Sequence, residues 1–131
     1  MRNGMDMRVQ IAALWDAVAR QDGAAMREFF APDAVICWHC TDEQFTLEEY
    51  IRANCEYPGR WRGEVERVME LGGTAVAAVR VWLAEGSASF HCAAIYRFED
   101  GKIVRSDEYW GDDGPAPQWR QEKNIGKRIE K

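Results

Sequence analysis

The chain has 131 residues and a mass of 15.0 kDa, enough for one hydrophobic core and too little for two, so a single domain over residues 1–131 is expected. It is 47% hydrophobic and 30% charged, too apolar for a disordered chain and too charged for a membrane one. The net charge of -5 argues against nucleic acid as a partner. No stretch approaches the roughly 18 to 20 apolar residues of a membrane span, and the first residues carry no apolar block of the signal-peptide kind, so the expected location is the cytoplasm.

From Met5 to Gln21 the apolar residues Met7, Ile11, Leu14, Trp15 and Val18 recur at intervals of three and four, which predicts a helix burying one stripe. Asp22 is placed to cap a second, short helix with Met26, Phe29 and Phe30 on one face. Pro32-Asp33 should end it, because proline restricts the residue before it. Val35-Ile36-Cys37-Trp38 reads as a short strand, and the segment after Cys40, with Asp42 and Glu43, reads as a surface turn with room for a lid role. Thr46 before Leu47-Glu48-Glu49 has the pattern of a capping box, and Leu47, Tyr50, Ile51, Asn54 and Cys55 share one helical face until Pro58-Gly59.

Beyond Gly59, the pairs Gly72-Gly73, Glu85-Gly86 and Asp100-Gly101 separate long β-prone runs, predicting an antiparallel meander over about 61–71, 74–84, 87–99 and 102–111. Alternation puts Ala75, Ala77, Val79, Val81 and Leu83 on the core face of the second run, and Phe90, Cys92, Ala94, Tyr96 and Phe98 on that of the third. The opposite face keeps Val76, Trp82 and Ile95, more apolar than a solvated surface needs, which predicts a homodimer formed through the sheet's outer side. From Gln118 to Lys131 five basic and two acidic residues give +3, leaving -8 elsewhere, so this tail is expected to dock on its own acidic body.

Helices first and a meander after them make an α+β pattern: three N-terminal helices packed on a curved, mainly antiparallel sheet, a cone enclosing an apolar pocket. Trp15-Asp16-Ala17, Gln21-Asp22-Gly23, Phe30-Ala31-Pro32-Asp33-Ala34, Tyr96-Arg97-Phe98-Glu99-Asp100-Gly101-Lys102-Ile103 and Glu108-Tyr109-Trp110 resemble, in order and spacing, the nuclear transport factor 2-like superfamily, particularly its SnoaL-like and ketosteroid-isomerase-like members. The resemblance covers about residues 8–112, with 113–131 as a C-terminal tail. It implies a small-molecule cavity. The reaction stays open, since the superfamily is implied to hold isomerases, dehydratases, epoxide hydrolases, cyclases and binding modules.

Carried over by position, the isomerase oxyanion-hole Tyr falls on Leu14, its base Asp on Trp38 and its protonated Asp on Ala94. Leu14 and Ala94 offer no donor for an enolate oxygen, and the Trp38 indole cannot accept a proton at neutral pH, so that mechanism is excluded. The same alignment turns Val104, Ser106, Glu108 and Trp110 toward the cavity. Glu108 then becomes the candidate acid or base, with a pKa raised among Trp38, Phe90 and Trp110. Two other readings of Glu108 stand beside this one: a structural ion pair with a buried Arg such as Arg67, and ligand anchoring without chemistry.

His39, just past the first strand, is a candidate proton partner for Glu108 at the cone's mouth, against a plainly solvated histidine. Trp38, Tyr50, Tyr57, Trp61, Phe90, Cys92, Ala94, Ser106 and Trp110 are the candidate ligand-binding residues, and aromatic walls suit a flat apolar or aromatic ligand. Cys37-Trp38-His39-Cys40 is a C-x-x-C, but Cys37 lies inside a strand and not at a helix N-terminus, and no second C-x-x-C closes a zinc site. A thiol or metal protein built on Cys37 and Cys40 is therefore a minor alternative, and neither metal nor cofactor is expected. The functional expectation is a cofactor-independent isomerase, dehydratase or cyclase, the alternative a non-catalytic ligand-binding or protein-interaction module.

Overall fold

The computed structural model describes residues 6–131. Helix α1 spans Met7–Arg20, and Asp6 caps it by accepting a 2.9 Å hydrogen bond from the Val9 N–H. The predicted start at Met5 lies outside the described residues. All five stripe residues, Met7, Ile11, Leu14, Trp15 and Val18, are buried. Gln21 closes the helix in the left-handed conformation. Asp22 caps α2, Gly23–Arg27, through the Ala25 N–H, as its sequence position suggests.

The second helix is shorter than expected. Phe29 and Phe30 lie beyond it, and Phe30 opens strand β1, Phe30–Trp38, which runs straight through Pro32. The register of β1 shifts between Phe30 and Val35, so Pro32 sits where the ladder is irregular and its missing N–H breaks no regular pairing. A single 3₁₀ turn, His39–Thr41, leads to Asp42 in the left-handed region and then to β2, Glu43–Thr46, an edge strand antiparallel to β1 where a turn was expected. Helix α3, Leu47–Cys55, has the predicted capping box. Thr46 Oγ1 accepts from the Glu49 N–H at 3.2 Å, and Glu49 Oε1 accepts from the Thr46 N–H at 3.0 Å.

Strands β3 (Trp61–Leu71), β4 (Thr74–Leu83), β5 (Ser89–Glu99) and β6 (Lys102–Asp112) form the meander. The sheet has the order β2-β1-β6-β5-β4-β3; β1 pairs parallel with β6 and every other pair is antiparallel. The fold is therefore α+β, helices on one face of a curved, six-stranded, open sheet. Ala75, Ala77, Val79, Val81, Cys92, Ala94 and Tyr96 are buried on that face, as alternation requires, while Leu83, Phe90 and Phe98 are half-buried at its margins. In β6 the expectation fails at one position. Ile103, not Val104, is the buried residue, because a register shift separates the Phe98–Ile103 pair from the Arg97–Arg105 pair and inverts the alternation between them.

After β6 a short helix α4, Gln118–Glu122, stands in an exposed tail. Every residue from Gln118 to Lys131 is exposed, and the hydrogen bonds and ion pairs described for this segment close within 116–130. The expected docking on the acidic body does not form; charge attraction between solvated side chains is too weak to order an exposed chain. No helix among the described residues is long and apolar enough to cross a membrane.

Candidate functional site

The open end of the sheet meets α1 and α3 around a cavity of about 230 Å³. Strand pairing fixes what lies beneath it. Trp38 of β1 and Ala94 of β5 are the two ladder partners of Glu108 in β6, and Trp110 pairs with Cys92 one step toward the mouth. The positions matched to the isomerase base and protonated acid thus flank Glu108 directly, as Trp and Ala. Leu14, at the matched oxyanion position, is wholly buried hydrocarbon.

Glu108 is 1% exposed. Ser106 Oγ donates to Oε2 at 3.0 Å and Trp110 Nε1 donates to Oε1 at 3.1 Å. Among the described residues no Lys, Arg or His makes a hydrogen bond or ion pair with this carboxylate. Arg67, offered as a buried partner, is exposed past a register shift in β3. Burial therefore dominates and drives the Glu108 pKa up to about 7, against the pull of the Ser106, Trp110 and Trp38 donors; the charge of Asp107 adds to the rise. The Trp38 indole N–H favours the charged form from nearby but completes no hydrogen bond of its own. Tyr50 and Tyr96 are buried in the same neighbourhood, and desolvation together with the Glu108 charge holds both phenols well above their usual range. Trp15 Nε1 donates to Tyr96 Oη at 2.8 Å, tying α1 to the layer that carries the acid.

Of the expected ligand-binding residues, Trp38, Tyr57, Trp61, Phe90 and Trp110 line the cavity. Tyr50, Cys92, Ala94 and Ser106 lie in the packed layer below it, and burial raises the Cys92 thiol far out of reactive range. Glu108 itself is one layer down, covered by indoles. The sequence reading missed Asp112, Cys40, Thr41 and Asn54 on the cavity wall. Asp112 could have been found by extending the inward set Ser106, Glu108, Trp110 by two more residues.

His39 does not meet Glu108. Its Nε2 lies 2.7 Å from Asp107 Oδ1 and its ring stacks on Tyr109 with centroids 4.4 Å apart, so it belongs to the sheet's other face. There Arg105 donates to both carboxylate oxygens of Asp107 and approaches Cys37 Sγ at 3.5 Å. Burial would raise the Asp107 pKa, but the Arg105 and His39 hydrogen bonds outweigh it and hold the carboxyl below its usual range. Cys37, His39 and Asp107 stand close enough to share an ion. Arg105 already supplies a positive charge there, its Nη2 lying 3.5 Å from Cys37 Sγ and 3.0 Å from Asp107 Oδ1. Cys37 and Cys40 are on opposite sides of the sheet, the first buried beside Arg105 and the second at the cavity, and all four cysteines are free.

Known proteins place this architecture. The SnoaL-like domain family model matches residues 11–106. Among solved structures, an NTF2-like protein of unknown function from Burkholderia xenovorans aligns at 22% identity and a TM-score of 0.75, covering 94% of each chain. A protein assigned as a ketosteroid isomerase from Kribbella flavida aligns at 24% identity and 0.73, covering 93% of this chain and 91% of that one. One assigned as a SnoaL-like polyketide cyclase from Shewanella putrefaciens aligns at 8% identity and 0.65, covering 80% of each. At these identities the likeness is one of fold. No curated protein matches. With its meander, its three N-terminal helices and its aromatic cavity, and with the family model spanning most of its length, the chain belongs to the SnoaL-like domain family.

Proposed function

We propose that this protein is a cofactor-independent proton-transfer enzyme acting on a small apolar or aromatic molecule held in the cavity, with Glu108 as the acid/base group and the reaction an isomerisation, dehydration or cyclisation. One observation carries the reading: a carboxyl buried beneath the cavity floor with two neutral donors and, among the described residues, no cation, its pKa near neutrality. A structural carboxylate in such a place is ordinarily paired. An acid whose pKa matches the operating pH is what general acid–base catalysis needs. Trp38, Trp61, Phe90 and Trp110 hold the substrate. The Trp38 ring, half-buried with an unsatisfied N–H, is the cover with least to lose by moving aside to let a reacting atom reach Glu108. Proton movement needs no second titrating group from His39, which faces elsewhere.

The test is hydrogen–deuterium exchange at the acidic C–H positions of flat enolisable ketones, 2-tetralone and its amine-bearing analogues, followed by NMR in heavy water. Accelerated exchange that Glu108→Gln abolishes, with ligand affinity kept, supports the enzyme. Binding of these ketones with no exchange in wild type favours a module that holds ligands without turnover. The outer sheet face supports a further part of the proposal, a homodimer. Met69, Val76 and Ile95 form one cross-strand row and Ala78, Ala93 and Tyr109 the next, and together they make an apolar patch in the middle of that face.

A further inference from the structure

The proposed substrate is so far specified only as apolar, but the cavity is not electrically neutral. Its lining includes one charged side chain, Asp112 at the rim, and among the described residues no Lys, Arg or His. Its wall is a continuous run of aromatic rings. Centroids are 6.3 Å apart from Trp38 to Trp110, 6.4 Å from Trp110 to Phe90, 5.8 Å from Phe90 to Trp61 and 5.2 Å from Trp61 to Tyr57. Three of these pairs meet edge to face and the fourth is tilted, so each contact takes up at most one face of one ring and no ring is sandwiched between parallel neighbours. Behind the wall the Trp110 N–H is donated to Glu108, and a carboxylate on that N–H adds electron density to the indole face.

We infer that the cavity selects a cation, specifically an apolar or aromatic body bearing a quaternary ammonium group, which the ring faces surround while Asp112 neutralises its charge at the rim. The inference rests on the proposed reading of the cavity as the substrate site. Aromatic cages favour cations through the ring quadrupole, and most of all where water is excluded. A quaternary ammonium is weakly hydrated and needs no hydrogen-bond acceptors, which suits walls made of carbon. A primary ammonium would leave its donors unpaired against the rings. An anion would meet Asp112 with no compensating donor charge, and the net charge of -5 on the whole chain disfavours its approach.

The probes are phenyltrimethylammonium and tert-butylbenzene, which have nearly the same shape and differ in the charge. Binding of each to the full-length protein is measured by calorimetry at pH 8. Phenyltrimethylammonium is expected to bind at least about tenfold more tightly, and Asp112→Asn, at an exposed position, to narrow that preference severalfold. Equal affinity, or tighter binding of tert-butylbenzene, would overturn the cation inference and leave the apolar-cavity reading standing. Binding of neither probe at millimolar concentration would sink both. A preference that survives Asp112→Asn undiminished would remove Asp112 from its assigned part.

Discussion

An ionised carboxylate at Glu108 has two hydrogen-bond donors and, among the described residues, no positive neighbour, so the folded state pays for its charge. The sign of the linkage follows. The pKa rises from 4.5 to about 7 on folding, so between those values the native protein holds a proton that the unfolded chain has released, and stability falls as pH rises through that window. Above it the loss is complete, on the order of 3 kcal/mol for a group this thoroughly buried. Glu108→Gln removes the charge and keeps the shape: the Trp110 N–H still finds an amide oxygen, and the Ser106 hydroxyl can turn to accept from the amide nitrogen. The variant is therefore expected to be more stable than wild type by about 1 to 3 kcal/mol at pH 8 and no more stable at pH 4.5. Urea unfolding of both proteins at the two pH values checks this. A difference that does not change with pH would mean that the acid is not held neutral by burial. A residue that destabilises its own fold near neutral pH is more simply explained by chemistry than by architecture.

At the scale of elements, how much could be read from sequence depended on how strongly local rules competed with pairing. Helix α1 and the meander were legible because each has a long, uninterrupted period, and α3 because Thr46 and Glu49 stand in capping-box register. The four-residue β2 was not legible. Glu43-Gln44-Phe45-Thr46 is too short and polar to signal a strand alone, and it exists because β1 offers it an edge. The same lack of local signal hid the passage of β1 through Pro32 and the irregularity beside Ile103. A register shift is a property of two strands and leaves no mark in either one. Glu108 was assigned the correct face because the shift lies before Ser106; His39 was misassigned because it was placed by its position at the strand end, whereas alternation from inward-facing Trp38 already directs it to the outer face, over Asp107 and Tyr109. Helix α3 brings Asn54 to the cavity, so its N-cap bears on the site as well as on stability. Thr46→Ala removes the acceptor for the Glu49 N–H and is expected to cost about 1 kcal/mol, read as a lower urea midpoint at unchanged slope. A changed slope would mean that the loss is not local to the cap.

For the whole molecule, the two faces of the sheet do different work. The inner face is covered by α1 and α3 and holds the acid; the outer face has no covering layer among the described residues. Its two central rows carry Met69, Val76 and Ile95 beside Ala78, Ala93 and Tyr109, and polar groups flank them: His39, Asp107 and Arg105 on one side, His91, Asp113 and Glu66 toward the other. His91 is bonded to Asp113, and that bond raises its pKa, so this flank favours a charged imidazole matched to carboxylates. An apolar centre flanked by paired charges is what the proposed homodimer would need in a surface that meets its own copy. Ile95 stands in the first of these rows, 39% exposed. In the proposed dimer, Ile95→Glu would bury two unpaired carboxylates near the axis and is expected to weaken association more than about 100-fold while leaving the inner face and the Glu108 site intact. Light scattering across a dilution series reads the association, and circular dichroism confirms the fold. A wild-type protein that is monomeric at every concentration would show that the outer face is left to solvent, and the exposed apolar rows would then need another partner.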